Sequence, residues 1–570
     1  RNLKKIHSLS AVLGFEAMSE QDRSIISSSR MFPADFTPQM AFDRMQSGST
    51  EYTITNNGAD TRLASFFGRA NYTLKDRYLF TATMRADGST KFAPGNQWGV
   101  FPSAAFAWRI SGEPFLKDVE QIDDMKIRLS YGEAGNNRID NDMWRRTYVG
   151  AITSPVAGIG NVPNLYYENT SSTLINPTLK WETTVTRNFG IDYSFFNNRL
   201  SGTIDVYWNT TKDLLLKSVV PASSGYNDQL KNIGQTSNRG FEFSITGQLI
   251  RKRDFSLTAT LNFSLNRNKV DKLAGVNETF YRSDWDEGLR ESDDFILRVG
   301  QPTGLIYGYV TDGFYQIDDF YINDGGQWCL KEGVANSQSI TQAHNTVNQA
   351  PGVPSPGSLK LKKTTPVDPN NKDTYIITPN DRQIIGNTNP KHTGGLILSA
   401  VYKNLDVSLF FNWVYGNDVY NANKIQFTTQ WKKDYYNMLS DMSSANRFRY
   451  YDDAGNKVTD MEQLRALNAH AKIWSPAMKI PVLHSWAIED GSFLRLNNVT
   501  IGYTLPSRWT KLALISRCRI YCTVNNVFVW TKYSGFDPEV STRLATPLTP
   551  GVDFSSYPKA RTFNLGDNLT

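Results

Sequence analysis

At 570 residues the chain is too long for one ordinary soluble domain. Its mean hydropathy is negative, and no apolar run approaches the ~18–20 residues of a membrane helix, which excludes a helical membrane protein. A net charge of +6, spread along the chain without a basic run, gives no argument for nucleic acid.

The dominant signal is a period of two, which predicts β-strands because successive Cβ atoms point to opposite faces. Leu9, Ala11, Leu13, Phe15 and Ala17 alternate with Ser8, Ser10, Gly14 and Glu16. A polar loop is expected from there to about Asp60. Ala64, Phe66, Gly68, Ala70 and Tyr72 form the next apolar row, and a tight turn, Leu74 to Arg77, leads into Phe80, Ala82, Met84 and Ala86. After a longer loop, Asp87 to Trp98, come Ala104, Phe106, Trp108 and Ile110. Ser111 to Asp124 reads as a connector with some helical character. Met125, Ile127, Leu129 and Tyr131 follow, then a long loop from Gly132 to Pro177.

The second half repeats the pattern. Trp181, Val185, Phe189, Ile191, Tyr193 and Phe195 lead through the Asn197-Asn198 turn to Leu200, Gly202, Ile204, Val206 and Trp208. A loop is expected over about 213–238. Phe241, Phe243 and Ile245, the turn Arg251 to Asp254, and the clean dyad Phe255 to Leu265 come next. Residues 268–391 make one long excursion, expected to be folded with a small sheet of its own, because a structureless loop of that length is improbable in a packed protein. Gly395 to Tyr402 and Leu405 to Trp413 are strands joined by Lys403-Asn404; residues 415–490 form a second excursion. In Phe493 to Tyr503 the alternation slips, and one β-bulge near Asn497-Asn498 reconciles its two halves. Pro506 to Ser516 suggests a short helix, Cys518 to Trp530 a strand, and Arg561 to Thr570 the last strand.

Each run is about ten residues, long for a soluble strand and about enough to cross a bilayer at a tilt. The dyad alone fits a soluble sandwich or a membrane barrel, which reverse the environments of the two faces. Strand length, Tyr and Trp at the run ends, and alternating short and long connections favour the membrane. The expectation is an all-β, transmembrane antiparallel barrel of fourteen spanning strands, with short periplasmic turns and long folded extracellular loops. The chain begins abruptly inside a strand-like run, so a fragment or a cleaved piece is expected. Cys518 and Cys522 lie four apart in one strand, ~13 Å, too far for a disulfide.

Several segments resemble the SusC/RagA-like TonB-linked outer-membrane proteins of Bacteroidetes. They are Phe67 to Tyr72, Arg85 to Phe92, Phe101-Pro102-Ser103, Asn176 to Glu182, Gly300 to Gly304, Ile385 to Lys391, Phe493 to Val499 and Tyr533 to Val540. They span nearly the whole chain. The resemblance implies a multi-pass barrel of the outer membrane, a plug inside about twenty-two strands, of which residues 1–570 supply the last fourteen. It further implies TonB-driven import of oligosaccharides or peptides with a SusD-like surface lipoprotein as lid, and a dimer of transporter–lid pairs. TonB would act through a plug region outside this sequence. Two departures stand out: the family usually ends in an aromatic residue, where this chain has Thr570, and Asp567 falls in the outward row of Phe563, Leu565 and Leu569. A passive porin and a surface adhesin or structural barrel are the rival readings. No catalytic constellation is visible, so no enzyme is expected.

Aromatic residues crowd the long loops: Tyr166, Tyr167, Tyr281, Trp285, Tyr315, Trp328, Trp431, Tyr435, Tyr436, Trp474 and Trp486. Tyr166, Tyr167, Trp285, Trp328, Trp431 and Tyr435 are the substrate-binding candidates, by stacking on sugar rings or peptide side chains. The plainer alternative is that large excursions need cores of their own. The inward charges Arg69, Arg85, Arg109, Glu182, Asp192, Asp205 and Glu242 fit a solvated wall or plug contacts better than a ligand site. Asp368, Asn370, Asn371 and Asp373 offer hard oxygens to Ca²⁺, at a spacing unlike an EF-hand loop; a solvated turn explains them more simply. No other cofactor is expected, and the five histidines offer no zinc spacing.

Overall fold

The computed structural model describes residues 2–3, 6–57, 60–146, 149–150, 167–168, 172–273, 275–285, 289, 293–430, 437–511, 514–542 and 548–569. They form two compact units, one of residues 1–193, 205–238 and 271–275, the other of 194–204, 239–270 and 276–570. No described helix is long and apolar enough to cross a membrane.

Among the described residues, fourteen strands of the main sheet carry the fold. The first unit contains β1 (His7–Glu20), β2 (Thr61–Leu74), β3 (Tyr78–Ser89), β4 (Trp98–Arg109) and β5 (Ile122–Asn136). The strands β6 (Glu182–Phe195), β7 (Leu200–Val219) and β8 (Asp228–Arg251) contribute residues to both units. The second unit adds β9 (Phe255–Lys272), β10 (His392–Tyr402), β11 (Leu405–Tyr415), β12 (Phe493–Thr504), β13 (Cys518–Thr531) and β14 (Thr562–Leu569). Within each unit every strand pairs with its neighbour in sequence.

The register aligns the rows read from the dyad. Ala70 stands opposite Ala82, and Ala82 opposite Ala104. Tyr72, Phe80 and Phe106 form the parallel row beside them, with ring centroids 6.3 and 4.9 Å apart. This apolar face is exposed: Leu13 keeps 89% of its surface and Leu565 83%. Asp567, opposite Ile520, shares that face with Phe563 and Leu565. The other face is polar and knitted across strands, as in the Thr246–Thr260 and Thr500–Thr523 hydroxyl pairs at 3.0 and 2.9 Å.

The bulge in β12 lies where the alternation slips. Phe410 and Phe411 of β11 face Asn498 and Leu496, which leaves Asn497 as the extra residue. Elsewhere the strands outrun the apolar pattern. The loop expected over 213–238 is largely the continuation of β7 and β8, and β9 runs on to Lys272. A ladder needs only backbone N–H and C=O groups, so it continues where side chains turn polar. The expected polar loop before Asp60 holds a hairpin, Arg23–Arg30 with Ser49–Asn57, and a short helix, Pro38–Asp43, capped by Thr37.

Residues 268–391 contain a four-stranded sheet of Glu278–Tyr281, Phe295–Arg298, Leu305–Gly308 and Gln383–Asn387. They share their cores with residues 415–490. Tyr309, Ile340 and Leu359 pack with Met442, Ile473 and Trp474; Tyr315, Phe320 and Trp328 pack with Phe448 and Leu464. The two excursions are thus one folded body, joined by apolar burial.

Candidate functional site

The polar face is a wall of paired charges. Arg85 donates to Asp87 at 2.7 Å, to Glu16 at 3.2 Å and to Ser65 at 3.0 Å. Arg128 bridges Asp192 and Asp205 at 2.9 and 3.0 Å, and Lys126 adds a contact to Asp192 at 2.7 Å. Gly190 makes room for that cluster, since a Cβ there would strike Arg128 and Asp205. Gly502 does the same beneath Arg519, which pairs with Asp406 at 2.8 Å. Arg69 donates to Asn71, Arg109 lies 3.4 Å from Asp124, Glu182 accepts from Asn136 and Glu242 from Ser264. Every inward charge singled out in the sequence is therefore engaged with a neighbour on its own wall.

The segments that carry the family resemblance meet in space. Phe92, Phe101, Leu179 and Trp181 form one buried cluster, locked by Trp181 Nε1 donating to the Gln97 carbonyl at 2.8 Å. Asn268 Oδ1 accepts from the Thr303 amide at 2.7 Å, and Thr388 donates to the Gly304 carbonyl at 3.0 Å. Arg495, on the strand side of the bulge, reaches Asp537 at 2.7 Å and Asn526 at 2.6 Å; the Arg495 and Asp537 side chains are 3% and 6% exposed. These are staples that fix loops onto strand ends.

Two concavities adjoin the folded excursions. A cleft of about 660 Å³ is lined by Arg267, Asn389, Lys391, Asp418, Asp490 and Ser492, at the ends of β9 to β12. Burial and the nearby Asp490 push the Asp418 carboxyl up, against the Asn387 amide that it accepts. A smaller pocket of about 290 Å³ is lined by Phe314, Asp441, Asn446, Lys472, Trp474 and Trp486. Trp474 and Trp486 meet edge to face at 5.0 Å, and Lys424 Nζ lies 3.8 Å over the Trp486 ring. The Trp474 Nε1 has no hydrogen-bond partner among the described residues.

The ligand candidates from sequence divide sharply. Trp285 and Trp328 are core side chains, 4% and 2% exposed. Trp285 donates to the Tyr420 hydroxyl at 2.6 Å, and Trp328 packs on Phe320. Rings so enclosed offer no face to a ligand; a lone aromatic in a loop carries no mark of whether its own body covers it. Tyr315 is buried likewise. Tyr166, Trp431, Tyr435 and Tyr436 lie outside the described residues, and for Tyr167 only the backbone is described. Sequence inspection missed Asp441, Asn446 and Lys472, which no motif marks. Asp368 and Asn371 accept from the amides of Asn370 and Asp373 at 2.9 and 3.1 Å, closing turns. No three His, Cys, Asp or Glu gather as a metal site among the described residues.

With this geometry in place, known proteins agree. Residues 19–527 match the family described as "TonB dependent receptor-like, beta-barrel". The chain belongs to that family: it is a SusC/RagA-like, transmembrane β-barrel protein of the outer membrane. It is similar to "TonB-dependent receptor P3" of Formosa agariphila, 31% identical over 99% of this chain and 50% of that protein. It is also similar to "TonB-dependent receptor SusC" of Bacteroides thetaiotaomicron, 31% identical over 89% of this chain and 43% of that protein. Among solved structures, that of the RagAB peptide transporter has the same fold: TM-score 0.72, 22% identity, covering all of this chain and 54% of that one. The chain spans about half the length of the curated relatives it matches.

Proposed function

We propose that the chain forms the barrel part of an active outer-membrane importer of oligosaccharides or peptides, energised through TonB and working with a SusD-like lipoprotein lid. The observation that carries the proposal is the pairing of a polar, cross-linked inner wall with a large folded body between the strands. A passive pore needs the first and has no use for the second. Short turns mark the periplasmic ends of the strands, so the folded body faces outward, where ligand and lid arrive.

The same reading assigns ligand contact to the outward concavities. In the smaller pocket, Trp486 and Phe314 supply apolar surface, while Asp441, Asn446 and Lys472 supply acceptors and donors for hydroxyl or amide groups. The loop aromatics Tyr166, Tyr167, Trp431 and Tyr435 belong to the same proposal. Dimers of transporter–lid pairs fit it as well.

The test is accumulation of fluorescent oligosaccharides and fluorescent peptides by cells that carry the native protein. Loss of accumulation on deletion of this gene, and equally on deletion of TonB, is expected. Accumulation that persists without TonB overturns the active importer and leaves a passive porin. No gene-dependent accumulation of any probe leaves an adhesin or structural barrel.

A further inference from the structure

On the apolar face of the first unit the small residues Ala70, Ala82 and Ala104 lie opposite one another across β2, β3 and β4. Beside them runs the aromatic row of Tyr72, Phe80 and Phe106. The step from ring to methyl makes a groove of about 710 Å³, floored by the alanines and open along the face. It crosses three strands, each about 4.8 Å from the next. A groove there is unexpected, because a face that meets only fluid lipid has no need of a carved channel.

One end of the groove is not apolar. Tyr131, Arg187 and Trp208 line it there. Arg187 stands in the row of Val185, Phe189 and Ile191, so it points to the outward face. Its guanidinium lies 5.9 Å over the Tyr131 ring, and no carboxylate stands within ion-pair distance of it among the described residues. Glu133, on the outward row of β5 with Tyr131, accepts from the Tyr131 hydroxyl at 2.5 Å. Tyr131, Arg187 and Trp208 each sit eight or nine residues from the short-connection ends of β5, β6 and β7. At the strand rise and tilt of a membrane barrel this is about 20 Å, near the outer edge of a ~25 Å apolar band.

We infer that this groove holds a phosphate-bearing lipid of the outer leaflet, its phosphate on Arg187 and one acyl chain along the Ala70–Ala82–Ala104 floor. Charge complementarity identifies the occupant. An arginine in a lipid-facing row is costly unless it meets an anion, and a guanidinium offers a phosphate two parallel donors. Tyr131 and Trp208 suit the same depth, with apolar rings and polar tips. The groove then gives the chain below that headgroup a fixed track.

The test uses the purified full-length protein, delipidated and returned to nanodiscs that contain phosphatidylglycerol in a background of digalactosyldiacylglycerol, which carries no phosphate. Native mass spectrometry counts retained lipid, and phosphatidylglycerol with brominated chains reports proximity by quenching Trp208, isolated as the difference from Trp208→Phe. The wild type is expected to retain phosphatidylglycerol about tenfold better than Arg187→Gln. Ala82→Leu, which fills the floor and keeps the charge, is expected to lower the Trp208-specific quenching to the level that bulk lipid alone produces. Equal retention by wild type and Arg187→Gln overturns the site, as does quenching unchanged by Ala82→Leu. Displacement of the lipid by excess inorganic phosphate also overturns it, since the groove would then add nothing to a bare anion contact.

Discussion

The strands and the folded excursions use the same aromatic and aliphatic residues in opposite ways. On the strands, Leu13, Phe66, Met84 and Leu565 stand exposed on one face, because lipid supplies the apolar surroundings that a core would otherwise provide. In residues 268–391 and 415–490, Tyr309, Tyr315, Trp328 and Leu359 are almost wholly enclosed, because water lies outside and the body must make its own core. The periodicity differs accordingly. A strand that spans a membrane writes its faces into the sequence two residues at a time. A compact body of short strands and turns writes nothing so regular, since each residue is covered by partners far along the chain.

The largest effects are expected where the excursions bury their own surface. Trp328→Ala removes the ring that packs on Phe320 in the cluster with Tyr315 and Phe448, and a cavity of that kind costs about 3–5 kcal/mol. Leu13→Ala, on the exposed face, leaves no cavity and is expected to cost under about 1 kcal/mol in detergent. Thermal denaturation followed by limited proteolysis within 268–391 checks both. Equal losses would mean that the excursions are not a separately packed body.

Next comes the staple between β12 and the segment after β13. Arg495→Met removes the buried, closest partner of Asp537 and leaves it the longer Lys559 contact at 3.6 Å and the Glu539 amide, at an expected cost of up to about 3–5 kcal/mol. Adding Asp537→Leu removes the stranded charge and is expected to recover most of that loss. Unfolding of the two variants in urea distinguishes this from a contact that merely tolerates removal.

How much of this was legible follows from the same contrast. The strands were readable to the level of the Asn497 bulge, because the slip from Leu496 to Val499 is a local change of phase. Their outer ends were not: β7, β8 and β9 continue through polar residues that ladder through backbone alone. The hairpin at Arg23–Arg30 and Ser49–Asn57 was lost for the same reason. The family segments were visible as strings, but not that Arg495 meets Asp537 forty-two residues on, or that Thr303 meets Asn268. For the ligand candidates composition was blind, since Trp285 in a core and Trp486 at a pocket rim are the same residue in the same kind of loop.

The smallest expected effect is a pH dependence in which two buried groups oppose each other. Asp294, buried and held by the Ser283 amide at 2.8 Å and the Ser283 hydroxyl, has its carboxyl pushed up to about 7 by burial. A raised carboxyl contributes stability that is complete below its unfolded value and lost as pH rises through about 7. His484, enclosed by Trp474 and Trp486 at ring distances of 5.0 and 6.3 Å, is pushed down to about 3 by burial, with the Lys424 charge adding to it. A depressed imidazole stays neutral in the fold, so its contribution is lost as pH falls below about 6.5. Between about pH 4 and 6.5 the slopes have opposite sign, each at most about 1.4 kcal/mol per pH unit, and the stability of the excursions is expected to be nearly flat. Asp294→Asn removes one arm. The variant is expected to lose stability steadily on acidification from about pH 6.5, and to gain on the wild type as pH rises from about 4 to 7, with a constant difference above that. A flat profile in the variant would mean that His484 is reached by solvent and does not oppose Asp294.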